Sequence, residues 1–525
     1  MRPSRHHSIL IGRFAVPSVL FLIAGSLLIL YPVHTVASDE TIAPDSWVYP
    51  ALRTLELVGL VELDPSMPYS RSEIERYVTV ILGAAGERPD ALTPRNRFLL
   101  DRLEEEFLAA DPGEREDRPV LILREEENLA ALDISIGALF VKTADDDEGE
   151  VWGIARPQFL LRLGGMVTAE AAYRLRMGPE EETNALHSKP SPRERSFRGL
   201  TSEFEKSMIF LAGKGWRLGI GRDYIHWGSG REEGLLLSRT AGSLDHLTAC
   251  VSMGRFSLHA VHAILDPEFP RRLAGHRLTI RLPRGIRIGI GETVLYTGSD
   301  LDFAYLLPFG SYYANQYNEA DDDNILWGLD WRLPVTRGLM LYGELLVDDF
   351  QYESDPPAPD RIGLNMTAEA FLTIGGREFE LLLGYTYIDV YTYAHKDTLL
   401  TRYVTGDGDT ETNRIIGSPL GPDADRWNAS VSTPLHPRLL VAAKGSYTRR
   451  GEGSDLREWI RGTDPHLPFP SGDVTDETQL SLEADLDLDR GSCIRAGGGW
   501  CSVECPERGV DDDAWFFHIE LVLDF

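Results

Sequence analysis

Trp515-Phe516-Phe517-His518-Ile519-Glu520-Leu521-Val522-Leu523-Asp524-Phe525 closes the chain, and its reading decides the fold. Trp515, Phe517, Ile519, Leu521, Leu523 and Phe525 fall on one side of an extended strand, with His518, Glu520 and Asp524 on the other. Successive side chains of a strand point to opposite faces, so one face is apolar throughout and the other polar. The last strand of an outer-membrane β-barrel has this form, because lipid solvates one of its faces.

Working back, the same period of two runs from about residue 129. It is plain in Ile286-Arg287-Ile288-Gly289-Ile290, Trp327-Gly328-Leu329-Asp330-Trp331-Arg332 and Leu480-Ser481-Leu482-Glu483-Ala484-Asp485-Leu486. A soluble sandwich alternates too, and the loop rhythm separates the two. Tight turns are expected at Gly164-Gly165, Gly213-Lys214-Gly215, Met253-Gly254-Arg255, Pro283-Arg284-Gly285, residues 334–338, Gly375-Gly376-Arg377, Leu435-His436-Pro437 and Asp489-Arg490-Gly491. Between them lie polar stretches near residues 143–150, 178–199, 223–242, 266–274, 296–322, 348–361, 394–424, 449–473 and 501–513. This rhythm predicts a mainly β protein, an antiparallel transmembrane barrel of about 18 strands over residues 125–525, with short turns in the periplasm and long loops outside.

The chain has 525 residues, 43% of them hydrophobic, and a formal net charge of −30. Nucleic-acid partners call for clustered Lys and Arg, so this balance excludes them. Arg2, Arg5 and Arg13 precede an apolar stretch over residues 14–30 and then Thr35-Val36-Ala37. This reads as a secretory signal over residues 1–37 cleaved near Ala37, the alternative being an uncleaved inner-membrane anchor. Export permits disulfides, and Cys501 with Cys505 is a candidate pair; Cys250 and Cys493 lie elsewhere, and the spacing does not suggest zinc.

Residues 38–118 read as a small helical module on the periplasmic side. Trp47, Ala51, Leu52, Leu55 and Val58 repeat at helical spacing and stop at Gly59. Ser70 with Glu73 makes a capping box ahead of the stripe Ile74, Tyr77, Val78 and Ile81. Thr93-Pro94 opens a third helix with Leu99, Leu103 and Phe107 on one face, and the acidic segment 111–119 ends the module.

The alternation sends Arg277, Thr279, Arg281, Arg287, Asp330, Arg332, Tyr342, Glu344, Glu483, Asp485 and Asp487 into the lumen, as structural ion pairs or as the lining of a hydrated path. Phe303, Tyr305, Phe309, Tyr312, Tyr313, Asn315 and Tyr317 concentrate aromatics and amides in one outer loop. Such side chains suit the C–H faces and hydroxyls of sugars, and serve equally as a loop folded into the mouth or an interfacial girdle. Acidic triplets at 145–147, 321–323 and 511–513 are solvated charge or loose Ca²⁺ or Mg²⁺ ligands, and no cofactor is expected. No GxSxG, HExxH, phosphate loop or dinucleotide fingerprint is present, so no catalytic residues are assigned and a non-enzymatic role is expected.

The centre of the chain carries more specific signals. Gly221-Arg222-Asp223, Trp227-Gly228-Ser229-Gly230, Leu235-Leu236-Leu237-Ser238, Ala274-Gly275-His276-Arg277-Leu278, Gly291-Glu292, Asp323-Asn324, Leu341-Tyr342-Gly343-Glu344 with Asp348-Asp349, and Gly417-Ser418-Pro419-Leu420-Gly421-Pro422-Asp423-Ala424-Asp425 together resemble the capsule assembly Wzi family. The resemblance spans residues 125–525 and marks Arg222, Trp227, Arg277, Asp330, Tyr342, Glu344, Asp348 and Asp349 as lumen or motif positions. It implies an 18-stranded outer-membrane barrel with a helical module near its periplasmic mouth. It also implies a lectin for exported capsular or exopolysaccharide, without an enzymatic step. The N-terminal module resembles a single S-layer homology repeat, through Trp47, Tyr49, Ala51, Leu52, Leu55, Gly59, Leu60, Ser70, Arg71 and Glu73.

The expected partners are thus surface polysaccharide and outer-membrane lipid, with export machinery or cell wall beyond them. Two other functions fit the same fold: a porin-like solute channel, and a barrel enzyme acting on lipid or glycan.

Overall fold

The computed structural model describes residues 39–89, 92–108, 120–144, 149–178, 195–197, 200–230, 233–265, 270–298, 302–319, 323–349, 358–395, 402–406, 414–457, 459–460, 465–488 and 491–524. The signal segment, the acidic segment 111–119, Phe525 and the acidic triplet at 145–147 lie outside the described residues, as do Asp321 and Asp322.

Among the described residues, 18 long strands make the barrel wall. The first nine are β1 Asn128–Thr143, β2 Glu150–Leu163, β3 Val167–Met177, β4 Leu200–Gly213, β5 Trp216–Asp223, β6 Leu244–Met253, β7 Phe256–Ile264, β8 Arg271–Arg281 and β9 Arg287–Thr297. The rest are β10 Asn324–Thr336, β11 Leu339–Asp349, β12 Arg361–Ile374, β13 Arg377–Ile388, β14 Ala424–His436, β15 Leu439–Arg450, β16 Thr475–Asp487, β17 Cys493–Cys505 and β18 Val510–Asp524. Each pairs antiparallel with its neighbours, and β18 returns to β1 with Leu521 opposite Ala138. Closure leaves the wall without a free edge, which hydrocarbon would not solvate. Two short strands, Leu121–Glu125 and Arg195–Phe197, add to β1 and β4.

Seven of the eight expected tight turns join consecutive strands; the eighth falls between β16 and β17, with Asp489 and Arg490 outside the described residues. At β12–β13, Gly375 (φ 59°) and Gly376 (φ 78°) both take left-handed backbone, which a Cβ would penalise. The strand ends place the outer connections where expected in the chain, except the last. Residues 501–513 are not a long loop: β17 runs to Cys505, β18 starts at Val510, and only the turn Pro506–Arg508 and Gly509 intervene. Asp511, Asp512 and Asp513 therefore pair within the sheet, opposite Glu504, Val503 and Ser502, because the ladder satisfies their backbone groups. The same extension rules out the candidate disulfide. Cys501 and Cys505 are four residues apart on one strand, about 13 Å at ~3.3 Å per residue, beyond disulfide reach, and all four cysteines are free.

The outward faces carry exposed apolar side chains around the wall, among them Trp515, Phe517 and Ile519 on β18, Leu480 and Leu482 on β16, Leu383 on β13 and Ile220 on β5. In water this belt would aggregate; in a bilayer it is the solvated surface.

Three helices form the N-terminal module: α1 Val48–Leu57, α2 Arg71–Glu87 and α3 Pro94–Leu108. Ser70 Oγ accepts the Glu73 backbone N–H, and the Glu73 carboxylate accepts the Ser70 N–H at 2.9 Å, completing the box read from sequence. Thr93 Oγ1 accepts the Asn96 N–H at 3.1 Å. Leu52, Leu55, Ile74, Val78, Ile81, Leu99, Leu103 and Phe107 make one buried core. The module sits in the mouth that carries the tight turns. The Gly338 N–H donates to Leu57 O at 3.0 Å, and Arg95 and Arg102 each reach Asp487 at 2.8 Å. Deeper, Thr54 Oγ1 donates to Glu380 at 2.7 Å, Arg332 pairs with Glu56 at 2.9 Å, and Arg277 donates to Ser66 Oγ at 2.7 Å.

Candidate functional site

Above the module, the lumen facing β6–β13 is closed by protein. The connection between β5 and β6 folds inward rather than outward, because its apolar run cannot remain in water. Ile225, Trp227, Leu235, Leu236 and Leu237 pack with Val261, Leu273, Leu295, Leu326 and Leu346 of the wall and with Tyr393, Tyr403, Ile416 and Leu420 of the β13–β14 connection. Polar side chains hold its backbone. Glu344 accepts the Gly230 and Leu235 N–H groups at 2.5 and 2.7 Å. Tyr393 and Tyr403 donate to Leu235 O and Leu236 O at 2.6 and 2.8 Å, and Asp348 accepts the Tyr393 N–H at 2.5 Å. Ser229 Oγ donates to Asp330, which also takes Arg277 through two guanidinium nitrogens at 2.8 and 3.1 Å.

The motif residues Trp227, Arg277, Asp330, Glu344 and Asp348 thus converge on one plug. Tyr342 also faces inward, with the Arg53 guanidinium 4.2 Å above its ring. Asp349 lies at the irregular end of β11, and its side chain is outside the described residues. Arg222 does not reach the lumen. It shares the outward face of β5 with Ile220 and pairs there with Asp245 of β6 at 2.6 Å, beside Phe204. The strand alternation that turns Asp223 inward turns Arg222 outward.

The other side of the lumen holds a cavity of about 1410 Å³ between the module and the wall of β12–β18 and β1–β3. Its lining follows the inward row of β16, from Glu477 and Gln479 through Ser481, Glu483 and Asp485 to Asp487. Asn428, Ser430 and Ser432 of β14 and Ser446 of β15 continue it, with Asn428 opposite Ser446 and Ser446 opposite Gln479. Charges in this wall are mostly matched: Lys444 with Glu483 at 2.5 Å, Arg495 with Glu520 at 2.9 Å, Arg156 with Asp45 at 2.8 Å. The result is a hydrated surface of hydroxyls, amides and compensated charges, able to donate and accept hydrogen bonds without demanding one ligand sign. The period-two pattern announced the inward row of β16, but nothing in the sequence said that this side keeps so large a cavity.

Between module and plug, burial pushes the Asp64 carboxyl up, while Arg287, His259 and Arg277 outweigh it and hold the group below the usual carboxylate range. Arg287 Nη1 stands 3.5 Å from Asp64 and its Nη2 donates to Glu62 O at 2.7 Å.

The aromatic outer loop neither enters the mouth nor stands free in solvent. It lies against the outward faces of β8–β10, with Tyr305 and Tyr312 buried, Asn315 donating to Ala304 O, and Phe303, Phe309, Tyr313 and Tyr317 exposed.

A family model described as capsule assembly protein Wzi matches residues 154–514. The chain belongs to the Wzi capsule assembly family. Among solved structures it is similar to Wzi of Escherichia coli, described as an outer-membrane protein involved in group 1 capsule assembly and a carbohydrate-binding β-barrel. That match has a TM-score of 0.61 at 12% identity and covers 92% of this chain and 99% of that one. At this identity the likeness shows the fold alone, an outer-membrane barrel. OprD of Pseudomonas aeruginosa (TM-score 0.43, 10% identity, 75% of this chain and 94% of that one) and OccAB1 of Acinetobacter baumannii (0.44, 8%, 79% and 100%) are more distant barrels. No curated protein matches the chain. The Wzi-family motifs quoted from the sequence are therefore, in this chain, largely the parts of an internal plug.

Proposed function

We propose that this Wzi-family barrel binds capsular or exopolysaccharide at the outer membrane and assists its assembly on the cell surface, with no chemical step of its own. The observation that carries this reading is the division of the lumen. One side is sealed by an apolar plug, and the other keeps a 1410 Å³ cavity lined by hydroxyls, amides and paired charges, the groups that exchange hydrogen bonds with sugars. Membership in a capsule assembly family supports it, as does the carbohydrate-binding fold relative. Many weak contacts along a repeating polymer sum through effective concentration. In this reading the module that resembles an S-layer homology repeat serves as a cork, the signal segment is removed near Ala37, and export machinery would meet the corked mouth.

The competing porin-like reading is separated by measuring two things on one preparation: retention of the cell's own polysaccharide on folded protein, and conductance in planar bilayers. Polysaccharide retention with little conductance is expected. Steady ohmic conductance without retention establishes the channel instead. Replacing Asn428 and Gln479 together by Ala should weaken retention about 5- to 150-fold, since each lost hydrogen bond is worth roughly 0.5–1.5 kcal/mol. Unchanged retention moves the glycan out of the cavity.

A further inference from the structure

The outer surface over β8–β10 departs from the rest of the wall. On β18 the outward row Trp515, Phe517, Ile519, Leu521 and Leu523 is apolar. With ~3.3 Å per residue and a tilt of ~40°, it spans roughly 20 Å of the ~25 Å apolar band of such barrels. On β10 the outward row Val335, Leu333, Trp331, Leu329, Trp327 and Ile325 is likewise apolar, roughly 25 Å by the same estimate, but the neighbouring rows turn polar part-way up. Glu292 follows Ile288 and Ile290 on β9, and His276 follows Ile280 and Leu278 on β8. A carboxylate and an imidazole thus point away from the lumen at a height where the other strands still face hydrocarbon. Bare, they would be costly there.

Residues 302–319 cover them. This segment carries two short helices, α4 Phe303–Leu306 and α5 Tyr312–Glu319. Glu292 is only 5% exposed; it accepts the Tyr312 and Tyr313 N–H groups at 2.9 Å each and the Trp327 indole N–H at 3.0 Å. Tyr305 and Tyr312 pack on Ala274, Val294, Tyr296 and Ile325, and the Tyr312 ring lies 4.5 Å from that of His276. Glu292 thereby gains hydrogen-bond donors, and His276 an aromatic ring against it. The segment's other side exposes Phe303 (65%), Leu307 (63%), Phe309 (85%) and Tyr317 (78%).

We propose that residues 302–319 form a paddle lying on the outside of the barrel in the outer leaflet, with Phe303, Leu307, Phe309 and Tyr317 among the acyl chains. The occupant is lipid because the exposed apolar surface is continuous with the lipid-facing rows of β8–β10. It also lies over the height at which Glu292 and His276 interrupt the rows of β9 and β8. The paddle pins the height and tilt of the barrel, and so the distance of the outer loops above the membrane.

The test places p-benzoylphenylalanine at position 309, and separately at 317, in full-length protein reconstituted in phosphatidylethanolamine and phosphatidylglycerol vesicles. Polysaccharide from the cell's own surface is added outside, and position 519 on β18 serves as the lipid-facing control. Irradiation followed by mass spectrometry should find phospholipid adducts at 309 and 317 in yields within about threefold of 519. An adduct to polysaccharide, an adduct to a second copy of the chain, or no adduct at either position while 519 gives one, overturns the proposal.

Discussion

Glu344 shows how one side chain decides the state of the lumen. Its carboxylate fills the space that Gly228 and Gly230 leave open: a Cβ at Gly228, which has φ +133°, would stand 2.4 Å from Glu344 Oε1. Removing the acceptor strands two buried N–H groups, each costing about 1–3 kcal/mol. Glu344→Ala should therefore loosen the plug and raise bilayer conductance at least severalfold while the barrel still assembles; unchanged conductance would show that the apolar contacts alone hold it. Asp64 sets a pH limit. Its folded pKa is depressed by Arg287, His259 and Arg277 against the opposing effect of burial, so its contribution is complete above the ordinary value of about 3.9 and is lost as pH falls through the lower folded value. Below about pH 4, hydrogen exchange in the module should accelerate. In Asp64→Asn the module should already be loosened at neutral pH, and that acid-side change should shrink.

At the scale of elements, the helices and turns were legible because their signals are local. The Ser70 and Glu73 box, the Thr93-Pro94 start and the Gly375-Gly376 turn each depend on residues within one turn of one another, and all stand as read. The stretch 501–513 was misread because acidic residues suggest a loop, whereas pairing with β17 keeps them in the sheet. The docking of elements is longer in range. Arg95 and Arg102 of α3 meet on Asp487, nearly 400 residues away, with all three side chains largely buried. Asp487→Ala should weaken module docking by about 1–3 kcal/mol, between the values for exposed and fully buried pairs. Faster amide exchange confined to α3 and its contacts would check this.

At the scale of the whole molecule, the wall and its contents follow different rules. Deleting β18 should prevent stable insertion altogether, because β1 and β17 would each offer an unpaired edge to lipid. Membrane fractionation and protease protection of the truncated chain would measure it. The contents of the lumen leave the wall intact, so plug and cork variants should change conductance without changing insertion.

By itself the sequence determined the solvent, the barrel, its strand number and the helical module. Period-two alternation, turn glycines and capping residues act between near neighbours and hold in any context that folds. Only the tertiary structure decided that the motif residues build a plug, that Arg222 faces out, that a polar cavity survives on one side, and that the aromatic loop lies on the outer wall. Those outcomes depend on which distant side chains share a volume once the sheet has closed, and a side chain's neighbours across a barrel are not written in its neighbours along the chain.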